Sequence, residues 1–184
     1  MNIFHTSDAH LHHHNIIKYC SRPFSSVDEM NEILIQNHNK LVKPEDWVFY
    51  HGDLSLTRDH DRIMPWRFRM NGIWKLFIAG NHDDGQHLLN SQLAETIIIG
   101  NKNRKRRQDN SFEIAHNGRS LLLSHYPIEN WNIKRAGRWL LYGHTHSNLA
   151  YNPLFPYSIN VGVDAWNYYP AEWSQIKQII DNNS

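Results

Sequence analysis

Five short apolar runs in this chain each end in aspartate, asparagine or histidine, and that recurring junction constrains the fold more than any other feature. Residues 1–6 lead to Asp8-Ala9-His10, 47–50 to Gly52-Asp53, and 74–79 to Gly80-Asn81-His82-Asp83. Residues 121–124 lead to His125, and 139–142 to Gly143-His144-Thr145-His146. Short runs rich in aromatic and β-branched residues read as strands. A fold that gathers these strand ends would bring all five motifs to one site.

The segments between them are helical in pattern. Ser26-Val27-Asp28-Glu29 has the form of a capping box, and Met30, Ile33, Leu34 and Leu41 recur at helical spacing, which predicts a helix ending near Pro44. A second helix is expected over 62–70, with Pro65 in its first turn and Asn71-Gly72 as its stop. The order β, α, β, α, β calls for a layered α/β domain with crossover helices. Beyond a helix near 86–93 the pattern changes to strands at 96–99, 112–115 and 121–124. Asn117-Gly118 is a hairpin signal, so antiparallel pairing is expected in this half. Residues 158–163 read as a strand pair or bulged strand irregular at Gly162, and 172–180 as a helix with Trp173, Ile176, Ile179 and Ile180 on one face.

At 184 residues the chain fits one domain, residues 1–184, with no internal repeat or linker. A net charge of +1 gives no general reason to expect nucleic acid or an acidic membrane surface as partner. Cys20 is the only cysteine, which rules out an internal disulfide and a cysteine-rich zinc site. The chain turns polar by Thr6 and holds no apolar stretch near 18 residues, so the expectation is a cytoplasmic protein without a membrane span or signal peptide. Histidine is the composition outlier, at 14 residues. Neutral imidazole is the commonest transition-metal ligand, which raises the prior for a metal site.

The motifs suit such a site. On an extended segment Asp8 and His10, two apart, point the same way and can hold one cation between them. Asp53 has two carboxylate oxygens and can bridge two cations, and Gly52 before it lets backbones approach closely. Asn81 offers a neutral oxygen; His125, His144 and His146 offer imidazole nitrogens. Mixed N and O ligation without thiolate suits two divalent ions of zinc, manganese, iron or nickel, and disfavours magnesium. With two carboxylates such a centre carries about +2, or about +1 with a bridging hydroxide as nucleophile, and attracts phosphate oxygens. Metal binding lowers the pKa of water from 15.7 to about 7. His82, beside Asn81 but not needed as a ligand, is the candidate general acid, with Asp83 as its possible orienting partner.

The series D-x-H, G-D, G-N-H-D, H and G-H-T-H, in that order from Asp8 to His146, resembles the calcineurin-like metallophosphoesterase superfamily. That resemblance implies one metal on Asp8, His10, Asp53 and His146, another on Asp53, Asn81, His125 and His144, and His82 as catalytic acid. It implies a four-layer αββα sandwich of mixed β-sheets flanked by helices, with the dinuclear centre at the C-terminal ends of strands. Ser21-Arg22-Pro23-Phe24, His125-Tyr126-Pro127 and Asn160-Val161-Gly162-Val163-Asp164 resemble small bacterial and phage members of unassigned substrate. Leu54-Ser55-Leu56 departs from the protein serine/threonine phosphatases, and no tyrosine stands where purple acid phosphatases carry one.

The expected activity is therefore metal-dependent hydrolysis of phosphate esters, diesters ahead of monoesters, on a small molecule, nucleotide or nucleic acid. The competing reading is a non-catalytic nucleic-acid-binding or scaffold protein on the same fold; the filled His82 position argues against it. An HD-type phosphohydrolase would need an all-helical context, which the strand before His82 contradicts. His13 and Arg22, in the loop after the first motif, are candidate phosphate contacts. Lys102, Arg104, Lys105, Arg106 and Arg107 read as a solvated hairpin tip or as a positive lip that steers a phosphorylated substrate. The aromatic stretch 166–169 reads as burial against a sheet ahead of base stacking. His5, His38, His51, His60, His87 and His116 fall in no motif.

Overall fold

In the first sheet, β1 (Ile3–Thr6), β2 (Trp47–Tyr50), β3 (Ile73–Ile78) and β4 (Thr96–Ile98) run parallel, and the sheet order is β4-β3-β2-β1-β9. Strand β9 (Ala171–Glu172) closes its edge antiparallel to β1. The second sheet has the order β5-β6-β7-β8, with β5 (Ser111–His116), β6 (Arg119–Ser124), β7 (Arg138–Tyr142) and β8 (Ser158–Asn160). The helices described over their whole length are α1 (His14–Tyr19), α2 (Val27–Leu41), α3 (His60–Phe68) and α4 (Trp173–Asn182). This computed structural model describes residues 1–56, 60–83, 88–89, 91–99, 111–116, 118–128 and 138–183. The basic run at 102–107, Asn117 and residues 86, 87 and 90 of the expected helix near 86–93 lie outside them.

Both sheets are mixed, and the antiparallel expectation needs correcting. Only β5 and β6 pair antiparallel in the second sheet; β6–β7 and β7–β8 are parallel. Strand β4 is parallel too, and belongs to the first sheet beside β3. A hairpin signal is local chemistry and reaches no further than the two strands that it joins.

Two apolar layers divide the strand residues. Phe4, Val48, Tyr50, Trp74 and Phe77 meet Ile16, Met30, Leu34, Ile35 and Met64 from α1, α2 and α3. Leu76 and Ile78 face the other way, onto Leu121, Leu123, Trp139, Leu141 and Ile159 of the second sheet, with Trp173, Ile176 and Ile180 of α4. Strict alternation would place Trp74 and Phe77 on opposite faces. A register shift between Val48 and Phe49 skips Lys75, so both rings stack on Tyr50, at centroid distances of 4.8 and 5.3 Å. On the outer face of the second sheet Leu122, Leu140 and Tyr142 are buried with Ile128 beside them. The fourth layer of the expected sandwich is not among the described residues.

Four local features differ from the sequence reading. Glu29 does not close a box on Ser26: Ser26 Oγ accepts from Glu29 N at 3.1 Å, and the Glu29 carboxylate accepts from Ser25 N at 2.6 Å. Pro65 stands in the second turn of α3, not the first, where its missing N–H forfeits one helical bond. Strand β8 stops at Asn160, and the chain passes through a single bridge of Gly162 to Ser7 into a 3-10 turn, Val163–Trp166. Helix α1 and strand β9 had no signal, being six residues without a side-chain cap and two residues respectively.

Helix α2 also buries His38, whose Nε2 donates to the Asn71 carbonyl at 2.9 Å. Burial drives this ring from 6.5 to about 4, so it is neutral in the folded protein. Between pH 6.5 and about 4 the unfolded chain gains a proton there that the folded chain refuses. Stability therefore falls as pH drops through that window and is untouched above it, by about 3 kcal/mol for the whole shift. Urea unfolding at stepped pH is expected to record this loss, and His38→Gln to flatten its slope by about one proton.

Candidate metal centre

The pairing of β1 with β2 does not end where the strands end. Asp8 N donates to Gly52 O at 2.9 Å, His10 N to Asp53 O at 3.0 Å and Leu11 N to Leu54 O at 2.8 Å. The first two motifs are thus zipped together by their backbones, leaving their side chains free. The segment is not extended, as its i, i+2 spacing suggested: Asp8 and His10 have φ of 61° and 53°. Asp53, His144 and His146 share that left-handed region, at 54°, 71° and 48°. Such conformations cost about 1–3 kcal/mol each where side chains are unsuited to them, and cluster at functional sites.

The donor atoms converge as three overlapping groups, Asp8–His10–His146, His10–Asp53–His82 and Asp53–His125–His144, within each of which the ligand atoms lie within 4.8 Å of one another. Asp53 Oδ2 lies 3.4 Å from His10 Nε2 and 3.5 Å from His125 Nε2. Asn81 Oδ1 lies 3.1 Å from His125 Nε2, and Asp8 Oδ1 4.0 Å from His10 Nε2.

Hydrogen bonds on the far side of the His125 and His146 rings fix which nitrogen faces inward. His125 Nδ1 donates to His51 O at 2.8 Å, and His146 Nδ1 to Asp164 Oδ2 at 2.8 Å. His10 Nδ1 lies 3.2 Å from His13 Nδ1, so one carries the shared proton. With His10 as that donor, its Nε2 lone pair faces the carboxylates. His125 Nε2 and Asn81 Oδ1 then meet as two acceptors, with the Asp53 carboxylate beside them. A cation between them satisfies that arrangement, as would a further proton or a turned Asn81 amide. Asp8 Oδ1 and His10 Nε2 are buried and have no hydrogen-bond partner. These orphaned atoms, and a donor set of imidazole and carboxylate, fit a divalent transition metal.

The electrostatics run the same way. Burial raises Asp8 above the usual carboxylate range. Burial acts on Asp53 likewise, but its His10 contact, the His125 ring and the His82 amide outweigh it and hold the carboxyl ionised. Burial takes His10 down to about 4, so its ring is neutral. Asp83, pushed up to about 7 by burial and by Asp53, does not bond the His82 ring as expected. Its carboxylate accepts from Asp53 N at 2.6 Å, Gly80 N at 2.8 Å and Leu54 N at 3.1 Å. Asp83 staples the second and third motif loops together. His82 N donates to Asp53 Oδ1 at 2.9 Å, while its half-buried ring stands edge-on to His10, centroids 5.0 Å apart.

Arg22 departs from the expected phosphate contact. Its five N–H groups are spent inside the protein: Nε and Nη2 on Asp164 at 2.8 and 2.9 Å, Nη2 also on Asp8 O at 2.7 Å, and Nη1 on Ala9 O at 2.9 Å and Met30 Sδ at 3.4 Å. His13 is buried beside the site, its centroid 5.8 Å from that of His82. His51 and Asp164 were given no role from sequence. Adjacency to Gly52-Asp53 was the available signal for His51. Asp164 lies 18 residues beyond His146, and no spacing rule joins them.

Fold and site define a two-sheet α/β protein whose buried histidine and aspartate groups could bind metal ions. No family model matches the chain. It is 34% identical over 185 residues to the uncharacterized protein MJ1445 of Methanocaldococcus jannaschii, covering 97% of this chain and 91% of that one, and it belongs to the same family. It is 26% identical to the gene 66 protein of Mycobacterium phage L5, over 90% of this chain and 87% of that one. The crystal structure of a protein of unknown function from Aquifex aeolicus, AQ665, shares the fold, with a TM-score of 0.71, 23% identity and coverage of 97% and 99%.

Gly52, at φ +95°, has no room for a side chain: a Cβ would stand 2.6 Å from Gly80 N and 2.7 Å from His125 Nδ1. Gly52→Ala is expected to lower stability by at least about 1–3 kcal/mol through backbone strain alone, and to weaken metal uptake by displacing His125. Thermal melts with and without added Mn²⁺ check both effects.

Proposed function

We propose that this chain is a metal-dependent phosphoesterase, hydrolysing phosphodiester or phosphomonoester bonds with two divalent transition-metal ions. The observation that carries the reading is the buried Asp53 carboxylate, 3.4 and 3.5 Å from the inward nitrogens of His10 and His125, in a site holding orphaned Asp8 Oδ1 and His10 Nε2. Asp8, His10, Asp53 and His146 would hold one ion, and Asp53, Asn81, His125 and His144 the other. Two ions so bound would neutralise phosphate charge and make hydroxide available at neutral pH.

The remaining work falls to the protein. Hydrolysis with hydroxide as nucleophile would break the bond from phosphorus to the leaving oxygen, and that oxygen would need a proton. His82, half-buried and edge-on to His10, is the group that we assign to give it. Its backbone N–H on Asp53 Oδ1 ties the acid and the shared carboxylate to one loop. With His10 as donor to its Nδ1, His13 would carry its proton on Nε2 and could donate it to a phosphate oxygen. Arg22 has no donor left for a dianionic monoester, which favours diesters.

Metal analysis and hydrolysis of generic mono- and diesters by the wild type, Asp53→Asn and His82→Ala test this reading. Two ions per wild-type chain are expected. His82→Ala should keep them and lose turnover about 10²- to 10⁴-fold, whereas Asp53→Asn should lose metal as well. A wild type that takes up no transition metal would falsify the proposal. A metal-loaded protein that binds nucleic acid without turnover would indicate a scaffold.

A further inference from the structure

Arg22 and Asp164 are buried, far apart in sequence, and joined as a bidentate pair: Nε to Oδ1 at 2.8 Å and Nη2 to Oδ2 at 2.9 Å, with side chains 0% and 2% exposed. The same carboxylate accepts from His146 Nδ1 at 2.8 Å. The same guanidinium donates to Asp8 O at 2.7 Å and to Ala9 O at 2.9 Å. One rigid fork therefore grips both the backbone of the first motif and, through Asp164, the ring of His146. Asp164 is itself brought to the site by the bridge of Gly162 to Ser7 and by Val163 N on Ser7 O at 3.0 Å.

We propose that Arg22 and Asp164 are positioning residues for the Asp8–His10–His146 donor group, setting the tautomer and orientation of His146 and the path of the backbone under Asp8. This rests on the two-metal reading above and adds an asymmetry to it. The Asp53–His125–His144 group has supports of its own, since His51 O holds His125 and Asp83 holds the backbone of Asp53, although His144 N on Asp8 Oδ2 at 2.9 Å links the two groups. Loss of the Arg22–Asp164 pair acts on one ion and spares the other. A carboxylate behind a ligand imidazole keeps its proton on Nδ1 and its lone pair on Nε2, and outer supports of this kind change metal affinity about 10- to 100-fold when removed. Lysine cannot replace Arg22, because a point charge does not supply a fork plus two carbonyl contacts.

The test uses the full chain, stripped of metal by chelation and dialysed against stepped concentrations of free Mn²⁺ or Zn²⁺. Wild type is expected to take up two ions. Asp164→Asn and Arg22→Lys should each keep one with wild-type affinity and bind the second about 10- to 100-fold more weakly. At a pH high enough to keep the ring neutral, long-range ¹H–¹⁵N spectra of the metal-free protein should place the His146 proton on Nδ1 in wild type and divide it between the two tautomers in Asp164→Asn. The inference is overturned if Asp164→Asn binds both ions as wild type does, or if it loses both equally, as a general loosening would cause. A metal-free wild type sinks the phosphoesterase reading and this one together; two wild-type ions with an unchanged Asp164→Asn sink this one alone.

Discussion

The interaction on which the site depends is backbone pairing continued past the ends of β1 and β2. Parallel strands usually part at their C-terminal ends, and their loops then go separate ways. Here Asp8, His10 and Leu11 keep donating to Gly52, Asp53 and Leu54 after both strands have ended. Left-handed φ at Asp8, His10 and Asp53 lets the chain hold these bonds while turning its side chains inward. The cost of that strain is met by pairing, and by Asp83, which accepts from three backbone N–H groups of the second and third motifs.

Once the loops are locked, the chemistry of the donors follows from what lies behind them. Three imidazoles have their outer nitrogen engaged: His125 on a carbonyl and His146 on a carboxylate, which fix their tautomers, and His10 on another histidine, with which it shares one proton. The support extends further, since His51 in turn meets buried His5, with Nδ1 of His5 3.0 Å from Nε2 of His51. Burial lowers both of these rings, His51 to about 4 and His5 well below its ordinary value, so this inner pair is neutral. Around these paired rings the polar interior is built of uncharged donors and acceptors, and ionised carboxylate stands at Asp53 and, paired with Arg22, at Asp164. That concentration of negative charge in a buried place is what makes a cation site plausible chemistry rather than a count of histidines.

Much of this was legible in the chain. Alternating strand and helix patterns placed β1, α2, β2, α3 and β3 in order, because apolar periodicity reflects burial on one face. Among the described residues no helix is long and apolar enough to cross a membrane. The grouping of Asp8, His10, Asp53, Asn81, His125, His144 and His146 was legible from their common position after apolar runs. Roles that depend on contacts between distant segments were not. Arg22 read as a surface donor for phosphate because nothing local says that Asp164, 142 residues on, consumes its fork. Asp83 read as a partner of its neighbour His82, yet its bonds go mainly to the loop of Asp53, 30 residues earlier.

By itself the sequence determined which residues could carry metal chemistry and at which strand ends they would stand, since ligand chemistry and apolar periodicity are properties of short segments. Tertiary structure decided the rest. It set which strands pair, as with β4 beside β3 in the first sheet, because sheet partners are chosen by burial across the whole chain. It also set the direction of each ligand's lone pair, because a histidine's tautomer is fixed by whatever polar atom the fold places behind it.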